Sequence, residues 1–264
     1  MPYATVNGVT LHYREAGSGP TALFLHGFPV DHTMWLDQMA GLAHVRRCIA
    51  MDLRGFGRSG RRYLEPLSME RHADDAAALL ESIGEQQADV IALSMGGYVA
   101  LAMWERHPSL VRSLVLVDTR SEADSEEGRV NRDRSAAHLV SAGKEVWGGE
   151  MIDMLVSHQA GTVTRARLRS MIGRTSYDTI VAALAGMRDR ADRTPLLNSI
   201  TVPTLVVVGA EDRLTPPDSA AALADAIPGA RLEVVEAAGH MTPLENPAAV
   251  TGAISAFLEE PAAS

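Results

Sequence analysis

Apolar residues in this chain come in short runs that end in small or polar residues. "TALFLHG" begins the series at Thr21. "VRRCIAMD", "ADVIALS", "SLVLVDT", "PTLVVVGAED" and "ARLEVVEAAGH" follow the same form. Runs apolar on both faces predict strands of a buried parallel sheet. The N-terminal "ATVNGVTLHYREAG" alternates instead, with Val6, Val9, Leu11 and Tyr13 around Asn7-Gly8, which predicts a β-hairpin. Between the runs lie helical spacings. "SMERHADDAAALLESIG" puts Met69, Ala73, Ala76, Leu79, Leu80 and Ile83 on one face, with Ser68 as N-cap and Gly84 as the stop. "MGGYVALAMWERHP" is a second helix, closed by Pro108; "PPDSAAALADAIPG" and "NPAAVTGAISAFLEE" are later ones. Strand alternating with helix predicts an α/β fold with a mostly parallel sheet.

The rhythm breaks over residues 120–198. A charged piece, "RSEADSEEGRVNRDR", opens this stretch and is read as a solvated helix face rather than a binding patch. Helix-spaced apolar groups follow: Ile152, Leu155 and Val156; Leu168, Met171 and Ile172; Ile180, Val181, Leu184 and Met187. The expected organisation is one core domain, residues 1–119 plus 199–264, with a helical cap at 120–198 inserted between two strands.

Composition narrows the function classes. With 264 residues, 46% hydrophobic and 22% charged, the chain can bury a sizeable core. A formal charge of −9 argues against a nucleic-acid partner, because phosphate backbones are bound by excess Lys and Arg. The single cysteine, Cys48, excludes an intramolecular disulfide and is read as a packed hydrophobe. No secretory signal is visible, and no apolar run approaches the roughly 18 residues of a membrane span. A cytoplasmic monomer or homodimer that takes a small molecule and meets no membrane is the expectation.

Three residues fall at ends of predicted strands, where open parallel sheets build their sites. Ser94 follows "DVIAL", Asp212 follows "TLVVVGAE" and His240 follows "LEVVEAAG". A serine hydroxyl is a weak nucleophile until a histidine takes its proton, and a carboxylate holds that imidazole in the required tautomer. A tight turn that lifts a serine clear of the backbone needs small neighbours, and Ala92, Gly96 and Gly97 are small. Ala92 replaces the first glycine of the G-x-S-x-G signature. The backbone N–H of Met95, at a helix start, and that of Phe28, in "FLHGFPVDHTMW", are candidate oxyanion donors. Asp118, at the end of "SLVLVD", competes with Asp212 for the acid role. "DLRGFGRSG" lacks phosphate-loop spacing, so Asp52 and Arg54 are read as loop-holding residues. His26 is read as shaping the oxyanion loop. The other histidines form no close metal pattern, and neither metal nor cofactor is expected.

The motifs "HGFPVDHTMW", "MDLRGFGRSG", "ALSMGGYVA", "VDTRSEADS", "VGAEDRLTPP" and "AAGHMTPLENP" resemble those of the α/β-hydrolases over the whole chain. The nearest resemblance is to bacterial carboxylesterases of the Thermogutta type and to the neighbouring 3-oxoadipate enol-lactonase-like hydrolases. It implies Ser94 as nucleophile, Asp212 as acid, His240 as base, and Phe28 and Met95 as oxyanion donors. Serine at the elbow speaks against the haloalkane dehalogenase and epoxide hydrolase branches, which place Asp there. Val30, by resemblance to the esterase loop "HGFP", is expected in the pocket wall. Trp35, after that loop, and Met241, beside His240, are expected there too. The implied activity is cofactor-free hydrolysis of short- to medium-chain carboxylic esters. Alternatives are a lactone hydrolase such as an enol-lactonase, a perhydrolase or cofactor-free haloperoxidase, and a small-ligand receptor of the same fold.

Overall fold

The computed structural model describes residues 2–60 and 65–259. The strands are β1 (Tyr3–Val6), β2 (Val9–Ala16), β3 (Thr21–Leu25), β4 (Arg47–Met51), β5 (Ala88–Leu93), β6 (Val111–Val117), β7 (Thr204–Gly209) and β8 (Arg231–Val235). They form one sheet in the order β1-β2-β4-β3-β5-β6-β7-β8. Pairing is antiparallel at β1–β2 and β2–β4 and parallel elsewhere. This is the predicted architecture: a hairpin, then a parallel sheet. Asn7 and Gly8 both take positive φ, 47° and 72°, as a two-residue hairpin turn requires.

Of the helices, α1 (Leu36–Leu42), α2 (Met69–Ser82) and α3 (Met95–Arg106) lie between the early strands. Helices α4 (Glu126–Ala142), α5 (Lys144–Leu155), α6 (Thr162–Arg174) and α7 (Tyr177–Arg188) fill the stretch from β6 to β7. After β7 come α8 (Pro217–Asp225), α9 (Thr242–Glu245) and α10 (Pro247–Glu259). Helices α2 and α3 pack on each other, and α3 packs on β3, β5 and β6. Helices α1 and α10 pack together and reach β4, β7 and β8. The Ser68 hydroxyl caps α2 by accepting the Arg71 N–H, and α2 gives way to Gly84 at φ 79°. Among the described residues no helix is long and apolar enough to cross a membrane.

Strands β3, β5 and β7 are buried along their whole length, as their apolar runs imply. β8 differs. Arg231 to Val234 are exposed because β8 is an edge strand with a single neighbour. Val181, counted above with the apolar groups, is 37% exposed and faces outward from α7. Helices α4 to α7 pack on one another, α4 against α7 and α5 against α6. They are also fastened to the sheet's loops. Arg174 bonds Asp31, the Thr175 hydroxyl donates to the Pro29 carbonyl at 3.2 Å, and the Thr179 hydroxyl donates to the Gly55 carbonyl at 3.0 Å.

Asp52 and Arg54 hold loops, as expected. Arg54 makes a two-pronged, buried contact with Asp75 of α2, at 2.6 Å in each arm, and tethers the loop after β4. Removing one partner of a buried pair strands the other charge, at a cost of about 3–5 kcal/mol. Asp75→Ala is therefore expected to lower the urea midpoint by that equivalent with an unchanged m-value.

Candidate active site

The site is built where β5 runs into α3. Ser94 is the single residue between them, held at φ 52° and ψ −113°, a region L-residues rarely occupy. Its N–H donates to the Val117 carbonyl at 2.9 Å, and its carbonyl accepts from Gly97 N–H and the Thr119 hydroxyl, both at 2.8 Å. The small neighbours are sterically necessary. A Cβ at Gly96 would overlap the Leu25 carbonyl, and one at Gly97 would overlap Thr119. Ala92, buried in β5, pairs with Leu25 and Leu116.

The loops after β7 and β8 bring two further groups to Ser94. His240 Nε2 lies 2.8 Å from Ser94 Oγ, and His240 Nδ1 lies 2.7 Å from Asp212 Oδ2. Asp212 accepts from the Thr215 hydroxyl at 2.6 Å and from the N–H groups of Leu214 and Thr215 at 2.8 and 3.0 Å. Burial acts to raise the Asp212 carboxyl. The His240 charge and the bonds from His240 and Thr215 outweigh it and hold the group below the usual carboxylate range. A hydroxyl, an imidazole and an ionised carboxylate in this chain of contacts can pass the serine proton to the imidazole and stabilise the resulting cation.

Asp118 is placed differently. It accepts from the Gly209 N–H and from the N–H and hydroxyl of Thr242, so its partners are backbone and threonine rather than His240. Full burial, then the neighbouring Asp212 charge, push its carboxyl well above the usual range. Glu245 fixes the histidine loop from the other side. One of its oxygens accepts from Gly239 and Met241 N–H, and the other accepts from Ser157 N–H at 2.8 Å.

The N–H groups of Phe28 and Met95 donate to no described residue. Met95 is the first residue of α3, where helix N–H groups have no partner within the helix. The Phe28 loop is shaped by His26, which is fully buried and does not face the cavity. Its Nε2 accepts the Leu53 N–H at 3.0 Å, so the ring is neutral and its Nδ1–H donates to the Gly27 carbonyl at 2.8 Å. Burial, which lowers the pKa of this ring, works in the same direction.

A cavity of about 450 Å³ opens on Ser94 and His240 between the sheet's loops and helices α4, α5 and α7. Phe28 lines it; Val30, Trp35 and Met241 do not. All three are fully buried core residues. The turn His32–Trp35, capped by Asp31, drives Trp35 onto Phe24 of β3 at 5.5 Å between ring centroids. Lining residues outside the earlier expectations are Tyr98, Met151, Met154, Leu184, Met187 and Thr215. Tyr98 could have been found, since it stands one helical turn after Ser94. The run at 120–134 is also not wholly solvated. Arg120, Asp124 and Arg132 turn into the cavity.

Among the described residues, His12, His32 and Asp52 are close enough to share a cation, with ligand atoms within 4.8 Å of one another. Those atoms already serve each other: both imidazole Nδ1 atoms bond the Asp52 carboxylate, at 2.9 and 2.7 Å. Burial acts to raise Asp52, and the His12 and His32 bonds overcome it, so the carboxyl lies far below its ordinary value. A depressed folded-state value means the stabilisation is complete above the unfolded carboxylate pKa and is lost as pH falls below it. Asp52→Asn is expected to cost about 3–5 kcal/mol at pH 7, and the deficit should shrink as pH falls below about 4. Urea unfolding of both proteins from pH 7 to pH 3 measures this.

Residues 22–253 match the model of the alpha/beta hydrolase family. A thermophilic esterase from Thermogutta terrifontis, solved with malate bound, is 37% identical. It superimposes with a TM-score of 0.91, covering 95% of this chain and 93% of that one. The enol-lactonase of Burkholderia xenovorans LB400 is 28% identical with a TM-score of 0.90, covering 98% and 100%. The AB hydrolase superfamily protein YisY of Bacillus subtilis is 30% identical over 82% of this chain and 83% of its own length.

Proposed function

Because the chain belongs to the alpha/beta hydrolase family, we propose that it is a serine hydrolase of carboxylic esters with short to medium acyl chains. The observation that carries this reading is the unbroken contact chain Ser94–His240–Asp212 at the floor of the cavity, at 2.8 and 2.7 Å. Ser94 Oγ attacks the ester carbonyl while His240 Nε2 takes its proton. The carbonyl oxygen, now anionic, is received by the free N–H groups of Phe28 and Met95. Collapse of the tetrahedral species breaks the bond to the alkoxy group, and His240 returns the proton to the departing alcohol. A water then gives a proton to His240 and attacks the acyl-serine, and Ser94 leaves with that proton as the acid is released. Asp212, held ionised by its donors, fixes the imidazole tautomer throughout.

Helices α4 to α7 are the cap in this reading, and the cavity beneath them is within the range for small ligands. A lactone is an ester closed on itself and would use the same steps; the likeness to an enol-lactonase supports that second reading.

Ser94→Ala is expected to reduce kcat by about 10,000-fold or more, and Asp212→Asn by about 10,000-fold. Asp118→Asn should lose far less, because Asp118 does not contact His240. Initial rates on 4-nitrophenyl esters from acetate to octanoate, with an enol-lactone alongside, measure all three and rank ester against lactone. Turnover retained in Ser94→Ala, or lost with Asp118→Asn and not Asp212→Asn, would contradict the assignment.

A further inference from the structure

Resting on the ester-hydrolase reading, we infer that the substrate carries a free carboxylate, which Arg120 and Arg132 hold at the cavity wall. The chain as a whole is acidic, at −9, yet this cavity is not. Arg120, Arg132 and Arg213 line it together with Ser94 and His240, and one acid, Asp124, stands against them.

Asp124 is committed from behind. Its side chain is 1% exposed and forms ion pairs with Arg120 at 2.8 Å, Arg132 at 2.9 Å and Arg190 at 2.8 Å. Arg190 is equally buried, lies 4.2 Å over the Tyr98 ring and donates to the Glu122 and Met187 carbonyls. One carboxylate neutralises one guanidinium. Asp124 cannot neutralise Arg120 and Arg132 as well as the buried Arg190 beside it, and the other carboxylate acting on Arg120, Glu122, is exposed to solvent.

The donors tell the same story. Arg132 engages Asp124 through Nε alone, which leaves both terminal amines for another acceptor. Arg120 Nε is buried and without a hydrogen-bond partner among the described residues. Arg213, which also lines the cavity, donates to the Asp153 and Val156 carbonyls and pairs with no carboxylate among the described residues. Guanidinium donors form a planar fork that suits a carboxylate, and half-buried cations gain most from an anion that replaces lost water. A wholly neutral ester would leave these donors unmatched.

The carboxylate could stand on the acyl half or the alcohol half of the ester. The test has an arm for each. 4-Nitrophenyl hemiglutarate is compared with 4-nitrophenyl pentanoate, and O-acetylglycolate with its neutral primary amide, O-acetylglycolamide. In one arm the parent enzyme is expected to favour the anionic member by roughly tenfold in kcat/KM, equivalent to about 1.4 kcal/mol. In Arg132→Gln, and separately in Arg120→Gln, that ratio should fall below about threefold. Arg106→Gln, a surface control paired with Asp74, should keep it. Thermal midpoints identify a variant that has not folded, and the other variant then decides.

Ser94-dependent hydrolysis with no anionic preference in either arm would overturn this inference and leave the ester reading standing. A preference that survives in both arginine variants would also overturn it. No hydrolysis of any of the four esters would overturn both readings.

Discussion

The passage from β5 to α3 through one residue is the constraint that the other features of the site answer to. A strand and a helix joined this tightly force Ser94 to positive φ and bring the start of α3 against the end of β3. Such a conformation costs on the order of 1–3 kcal/mol and persists only when its surroundings determine it. Here they do so twice. The Ser94 carbonyl is fixed by Gly97 and Thr119, and the Ser94 N–H by Val117. The same turn puts the Ser94 side chain above the sheet's edge and leaves the Met95 N–H unused beside it. Strain, nucleophile position and one oxyanion donor are thus a single geometric consequence in the proposed mechanism.

The second element is how rigidly the partners of Ser94 are carried. His240 rides on a loop whose backbone is gripped by Glu245, and Glu245 also binds Ser157 beyond α5. Asp212 is wrapped by its own loop's N–H groups and by Thr215. The Phe28 loop is braced from beneath by neutral His26 and from above by Thr175 and Arg174. Helices α4 to α7 therefore do more than cover the cavity. They bond to all three of the loops that carry Phe28, Asp212 and His240, so a change in their position would be felt at the Phe28 N–H, the carboxylate and the imidazole.

Much of this was legible from residue order because the signals are local and steric. A β-rich run ending in Ser94, Asp212 or His240 predicts a strand end, and parallel strand ends gather at one edge of the sheet. Asn7-Gly8, Ser68 and Gly84 mark their turns and caps through backbone preferences that act over a few residues. What was not legible depends on direction. Val30, Trp35 and Met241 neighbour the site in sequence, yet each points into the core. Adjacency on a loop does not tell which way a side chain faces. The arginines of the 120–134 run were hidden for a different reason. Polarity patterns separate solvent from an apolar core, and a polar cavity looks like solvent to such a pattern. The exposure of β8 depends on topology, since an edge strand and a central one can have similar runs.

The bond that Ser94 Oγ is proposed to form with the substrate can be tested without a rate. The protein is treated with a fluorophosphonate, which transfers a phosphonyl group to an activated serine, and its intact mass and peptide map are recorded. One adduct per chain is expected, on the peptide that contains Ser94, and none in the Ser94→Ala variant. An unmodified parent protein, or an adduct on another residue that survives in Ser94→Ala, would contradict it.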